Sequence, residues 1–282
     1  MRLSTRHLSL ALALLCRSGR EARAQAFEVG VAKIHWTALS PTDTAVRYAI
    51  LRVDSVSGAT QMLYRFPPSM TSPCHWHTAS QGTMVLQGSL TWRRPGLTDG
   101  ATLGVGGYTY VPAGMPFQLT TGPTVTIVMA SLDGALDTHV VKPDQCRSAT
   151  PPHGVAVARA LEIDSQHIPW VSFPTKDSPV RIATLRVDST SGATHMLFRI
   201  PPNDTSPCHW HTAAEHNVVV QGSAGMRHPG MGEGPMVGVA GFSFVPRRMP
   251  HQILTGPTTT VVFSTLDGRF DFHPVDDAQC QR

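Results

Sequence analysis

Charge is scarce in this 282-residue chain, 15% of residues against 41% apolar ones, and that balance excludes a disordered or tail-like polypeptide. Long hydrophobic runs are missing too. The stretch from Leu8 to Cys16 falls well short of the roughly 20 residues a membrane helix needs, and no later segment is long and apolar enough, so no stable membrane insertion is expected. Helical 3.6-residue periodicity is absent over any useful length. An excess of one charge sign also disappears once the amino terminus is set aside. The formal charge is +4, but residues 1–26 carry Arg2, Arg6, Arg17, Arg20 and Arg23 against Glu21 alone, and the remainder holds 18 basic and 18 acidic residues. A neutral remainder has no electrostatic footprint for nucleic acid or an anionic membrane.

The segment that holds the surplus reads as a leader. A basic start, the apolar run and Ala24-Gln25-Ala26 as an A-x-A cleavage site predict a signal peptide over 1–26, with the mature protein exported to the periplasm or secreted. Arg17 to Arg23 is more charged than an ordinary cleavage region.

What remains is a duplication with an offset of 134 residues and no gaps. Leu51-Arg52-Val53-Asp54-Ser55 recurs as Leu185-Arg186-Val187-Asp188-Ser189, and Ser72 to Ala79 recurs as Ser206 to Ala213 with all eight residues unchanged. Trp36 matches Trp170, Gln87-Gly88-Ser89 matches Gln221-Gly222-Ser223, and Leu132-Asp133-Gly134 matches Leu266-Asp267-Gly268. Two domains are therefore expected, 27–148 and 149–282, linked near Thr150-Pro151-Pro152. Short runs rich in Val, Ile, Thr, Phe and Tyr, such as Tyr108 to Val111 and Thr259 to Ser264, alternate with Gly and Pro and predict an all-β sandwich or barrel.

Cysteine obeys the repeat. Cys16 lies in the leader, and Cys74 and Cys146 recur as Cys208 and Cys280. In an exported protein the simplest pairing is Cys74 with Cys146 and Cys208 with Cys280, each closing a loop of 72 residues and stabilising by about 4 kcal/mol on a chain-entropy argument. Pairing between the units and four reduced thiols are the alternatives.

In the second unit, His209-x-His211 is followed by Glu215 and, much later, His251. Residues i and i+2 of a strand project to one face about 6.5 to 7 Å apart, so both imidazoles can address one ion while Trp210 turns away. Glu215 returns from the adjoining turn, and barrel closure would bring His251 opposite. A lone H-x-H is a weak signal, since strand histidines are often only hydrogen bonded; four ligand types at compatible spacing carry much more. Three imidazoles and a carboxylate suit one divalent transition metal (Fe, Mn, Ni, Co, Cu or Zn), and octahedral coordination leaves two positions for substrate, water or dioxygen.

These residues resemble the cupin motifs G-x5-H-x-H-x3,4-E-x6-G and G-x5-P-x-G-x2-H-x3-N. His209, His211, Glu215, Gly222, Pro246 and His251 fall on motif positions, while Ala240, Arg248 and Thr255 replace two glycines and an asparagine. The resemblance covers both copies and implies two tandem cupin (jelly-roll) β-barrels, a bicupin. In the first copy His75, His77, Gly88, Gly106, Pro112 and Gly114 match, but Gln81 stands at the carboxylate position and Phe117 at the third histidine. An amide brings no charge and a phenyl ring cannot ligate, so that barrel is expected to bind metal weakly or not at all and to serve as a partner burying one face of the active barrel. A dry ligand pocket lined by Phe117 is the lesser alternative.

Arg227, Arg248 and His195 are candidate substrate contacts, with Arg247 beside them; each has the competing reading of a solvated or ion-paired residue. Trp76 and Trp210 are expected in the core, and His216 is expected to point away from the metal. The expected partner is a small-molecule substrate or ligand, with a homodimer left open. What cupins of this type do implies a metal-dependent dioxygenase-type oxidoreductase first, a redox-neutral decarboxylase or isomerase second, and a non-catalytic metal or small-ligand binding module third.

Overall fold

Strand alternation explains the architecture. In Gln81–Gln87 every residue but the last is buried, because neighbouring side chains enter two different cores: Met84 and Leu86 one, Val85 the other. Thr60–Phe66 and Thr126–Leu132, with the repeats Thr194–Ile200, Glu215–Gln221 and Thr260–Leu266, are likewise mostly buried along both faces. A computed structural model describes residues 25–40, 44–97, 100–148, 160–175 and 178–281. Its described residues form two seven-stranded antiparallel sheets, each accompanied by a three-stranded sheet and a two-stranded ribbon. The protein is nearly all-β, with two tandem jelly-roll barrels as expected.

The first large sheet runs, in spatial order, Leu161–Ile163, Tyr108–Val111, Gln81–Gln87, Thr126–Leu132, Thr60–Phe66, Arg47–Val53 and Thr37–Ala38. The second runs Phe27–Val29, Phe242–Val245, Glu215–Gln221, Thr260–Leu266, Thr194–Ile200, Arg181–Val187 and Val171–Ser172. The first strand of each unit is thus exchanged. Phe27–Val29 pairs with Phe242–Phe244, and its repeat Leu161–Ile163 pairs with Tyr108–Tyr110. Exchange covers a sheet edge that would otherwise be open.

The outer faces of the two large sheets meet in the largest core. Leu63, Met84, Tyr108 and Met129 of one unit pack with Leu197, Val218, Phe242 and Phe263 of the other. An approximate two-fold relation shows in the charged contacts: Arg52 lies 3.8 Å over the ring of Phe244, and Arg186 lies 3.8 Å over the ring of Tyr110. At Gly82 the symmetry breaks. A β-carbon on Gly82 would sit 2.5 Å from the His195 ring, so glycine alone leaves room for that imidazole. The repeat of Gly82 is His216, which instead accepts a hydrogen bond from Arg52 Nε at 3.1 Å; it points away from the metal ligands, as expected, and toward the other barrel.

Both disulfides form within units, Cys74–Cys146 and Cys208–Cys280. They suit an oxidising compartment. The leader expectation falls mostly outside the described residues; its last residue, Ala26, is buried beside Met226 and Val245. Trp76 and Trp210 correct the expectation of core burial. Each is half-buried at a ribbon and stacks on an imidazole, Trp76 on His139 and Trp210 on His273, both at 4.0 Å between centroids. Their strands, His75–Trp76 and His209–Trp210, lie in the two-stranded ribbons, so only one face is covered by a core. Among the described residues, no helix is long and apolar enough to cross a membrane.

Candidate metal centre

His209 and His251 face each other across an isolated antiparallel bridge, exchanging backbone hydrogen bonds of 3.0 and 2.8 Å. His211 follows two residues along from His209, and Glu215 opens the strand Glu215–Gln221 of the large sheet. Barrel closure brings the four together. One ligand atom from each of His209, His211 and His251 lies within 4.8 Å of the others, and all three residues are buried. Glu215 Oε2 is 3.4 Å from His251 Nε2 and 3.8 Å from His211 Nε2.

Backbone carbonyls choose the tautomer. His209 Nδ1 donates to the Pro207 carbonyl at 2.7 Å, His251 Nδ1 to that of Met249 at 3.0 Å, and His211 Nδ1 to that of Asp271. A carbonyl can only accept, so each ring is protonated at Nδ1 and keeps its Nε2 lone pair for another partner. Asp271 is itself held, accepting hydrogen bonds from the Thr212 backbone N–H at 2.9 Å and from its hydroxyl at 2.5 Å.

Electrostatics agree. Burial, then the neighbouring imidazoles of His251 and His211, pushes His209 down to about 3, and burial also lowers His211, so both stay neutral and able to ligate. Burial raises the Glu215 carboxyl, and it is positive charge beside it, at the position of His211 and then of His251, that lowers it. His251 Nε2 and Glu215 Oε2 are nevertheless buried without a hydrogen-bond partner. Two orphaned polar atoms side by side, one a lone-pair nitrogen and one a carboxylate oxygen, call for a cation. The residues present fit a divalent transition metal.

The centre opens on a cavity of about 260 Å³. His209, His211 and Glu215 contribute to its wall, with Asn217 and Ser264 beside them, Ser264 donating to Asn217 Oδ1. Most of the remaining lining is apolar, including Phe173, Phe198, Phe270 and Phe272. Asp271, Asn217, Ser264 and these rings do not belong to the motif residues of the sequence. Asp271 left a readable signal, since Asp137 occupies its place in the first unit and supports His77 through the same carbonyl contact. The aromatic lining left none, because Phe270 and Phe272 replace Leu136 and Thr138.

None of the three candidate substrate contacts lines this cavity, which corrects that expectation. Arg227 bonds Gln252 Oε1 at 3.0 Å and pairs with Glu233. His195 shares its strand face with Leu197, toward the other barrel, where its Nδ1 lies 2.7 Å from the Tyr108 hydroxyl. Arg248 is exposed and serves through its backbone N–H, donating to the His211 carbonyl at 2.8 Å, and Arg247 pairs with Asp267 at 2.8 Å. Ala240 and Arg248, standing where the cupin motif has glycine, keep the left-handed turn with φ of 63° and 58°.

The first barrel places its residues in the same pattern with different chemistry. His75 pairs across a bridge with Phe117, whose ring centroid is 4.3 Å away, and Gln81 Nε2 donates to Thr83 Oγ1 at 2.9 Å. Among the described residues, only His209, His211 and His251 form a ligand cluster of three.

The fold is shared with solved bicupin-like structures. A candidate dioxygenase from Nostoc punctiforme superposes with a TM-score of 0.70 at 14% identity over 90% of this chain and 88% of that one. An oxalate decarboxylase of Bacillus subtilis, carrying a single serine-to-alanine substitution, gives 0.61 at 14% identity over 91% and 81%. One from Lactobacillus farciminis, in a formate complex, gives 0.63 at 11% identity over 89% of each chain. At such identities the likeness establishes the two-barrel fold alone. No curated protein matches the chain by sequence. The model of the family described as Domain of unknown function (DUF4437) matches residues 29–273, and this bicupin therefore belongs to that family.

Proposed function

We propose that this chain is an exported, metal-dependent oxidoreductase of the dioxygenase type, acting on a small, largely apolar organic molecule in its second barrel. The observation that carries the reading is the junction of three Nδ1-protonated imidazoles and an orphaned carboxylate oxygen beside a cavity lined mainly by aromatic and aliphatic groups. His209, His211, Glu215 and His251 would hold one divalent ion. Such an ion, when bound, supplies Lewis acidity and, if redox-active, electron exchange with dioxygen.

The chain's own groups do the rest. Carbonyl contacts at Nδ1 orient the imidazoles, Glu215 offsets part of the ion's charge, and the phenyl rings of Phe173, Phe198, Phe270 and Phe272 exclude water and cover an apolar substrate face. Asn217 and Ser264 offer hydrogen bonds near the centre.

Structural likeness to oxalate decarboxylases raises a redox-neutral decarboxylase as the second reading, which would use a cationic side chain to hold carboxylate. Among the described residues no Lys or Arg lines the cavity, and Arg227 is tied to Glu233, which favours the dioxygenase reading. The test is an oxygen-electrode screen of phenolic and small-acid substrates on protein loaded with each metal in turn. Metal-dependent oxygen uptake, lost in Glu215→Ala, is expected; turnover without oxygen consumption would point to the decarboxylase, and metal binding without any turnover to a binding module.

A further inference from the structure

The first barrel has lost two of its four metal ligands, with Gln81 and Phe117 in their places, but not its cavity. A cavity of about 330 Å³ remains in it, against about 260 Å³ beside the metal centre, and Leu39 and Thr138 line it where Phe173 and Phe272 line the other. A barrel kept only as a packing partner would be expected to fill that space and satisfy its buried polar groups, since voids and unpaired polar atoms both destabilise. Here neither has happened. Gln81 Oε1 and Trp92 Nε1 are buried without a hydrogen-bond partner, and both residues line the cavity at 5% and 2% exposure.

The wall has a definite hydrogen-bonding sense. Gln81 donates one amide N–H to Thr83, and its oxygen is an acceptor without a partner. His75 and His77 donate Nδ1–H to the carbonyls of Pro73 and Asp137, leaving Nε2 as acceptors. Burial holds His75 at about 4, so it remains neutral. Trp92 contributes a single donor. The two unpartnered buried atoms are of opposite sense, an acceptor on Gln81 and a donor on Trp92, and call for a ligand group that both donates and accepts, as a hydroxyl does. No Asp, Glu, Lys or Arg lines the cavity among the described residues, so a charged group would be desolvated without a counter-ion. Tyr64, Phe66, Phe117 and Leu119 surround the polar groups with surface suited to a ring.

We infer that the first barrel is a metal-free binding site for an uncharged aromatic alcohol or phenol, seated in this cavity with its hydroxyl toward the wall formed by His75, His77, Gln81 and Trp92. This site is independent of the proposed activity and persists whether or not the second barrel turns over substrate.

The probe is phenol, with toluene lacking the hydroxyl and benzoate carrying charge as comparisons. Phenol is titrated into the full-length, metal-loaded protein while the indole N–H resonances of its five tryptophans are followed. Saturable movement of the Trp92 signal, assigned with Trp92→Phe, is expected with phenol and at least tenfold weaker with toluene or benzoate. Gln81→Leu should weaken phenol by about tenfold, and Thr83→Val, which frees the amide, gives a second reading if Gln81→Leu does not fold. A Trp92 signal indifferent to phenol, or equal binding of all three probes, would overturn the inference.

Discussion

Phe117 stands in the first barrel where His251 stands in the second, each facing its barrel's leading histidine across an isolated bridge, Phe117 with His75 and His251 with His209. The ring centroids are 4.3 Å apart in one case and 4.2 Å in the other. The backbone frame is therefore intact in both barrels, and side-chain chemistry at two positions separates a ligand set from a non-ligating one.

That relationship makes metal content transferable. His251→Phe should drop bound metal from about one ion per chain to a small fraction of that, whereas His75→Ala should leave it unchanged. Gln81→Glu combined with Phe117→His should raise it toward two. Elemental analysis of the purified proteins decides; wild-type protein with two ions per chain would contradict the assignment.

The contact of Gly82 with His195 gives a packing test. Gly82→Ala places a methyl group 2.5 Å from the His195 ring and should cost about 2 kcal/mol of stability. His195→Ala alone leaves the Tyr108 hydroxyl without its 2.7 Å partner. The double variant should be more stable than the two single losses added together, a coupling that urea unfolding measures. Strict additivity would mean that residues 82 and 195 do not meet across the sheets.

Acid sensitivity follows from the same histidine. Burial, then Arg186, holds His195 at about 3, below its ordinary 6.5. The unfolded chain therefore binds a proton that the folded one refuses. Stability from this group is complete above about pH 6.5 and falls as pH drops toward 3, by up to about 1.4 kcal/mol per pH unit. His195→Asn should flatten the stability profile between pH 6.5 and 4 by about one proton; an unchanged slope would refute the assignment.

Arg248 holds φ of 58°, where a β-carbon is unfavourable, and its exposed side chain does not line the metal-side cavity. Arg248→Gly should raise stability by up to about 1 kcal/mol, the relief of strain exceeding glycine's added unfolded-state entropy. Thermal unfolding reads it, and a lowered Tm would show that the arginine side chain contributes packing.

Much of the fold and of the metal centre is legible in the sequence. The offset of 134 announced two units, and the pairing Cys74 with Cys146 followed from the offset and an oxidising compartment. Strand spacing put His209, His211, Glu215 and His251 within reach of one another. Less legible were Arg227 and His195, because a side chain's direction depends on strand register and on which of two cores it enters. His195 lies one residue from Met196, which faces the barrel interior; that single step turns it toward Tyr108 instead of the metal.

By itself, the order of residues determined the number of barrels, their β character and the ligand types, since repeats, alternation and donor chemistry are all written along the chain. Only the tertiary structure decided that Phe27–Val29 and Leu161–Ile163 would change partners, that Glu215 Oε2 would be left unpaired beside His251, and that the first barrel would keep an open interior. Those outcomes depend on distances between residues remote in sequence, which local patterns leave unspecified until closure and burial set them.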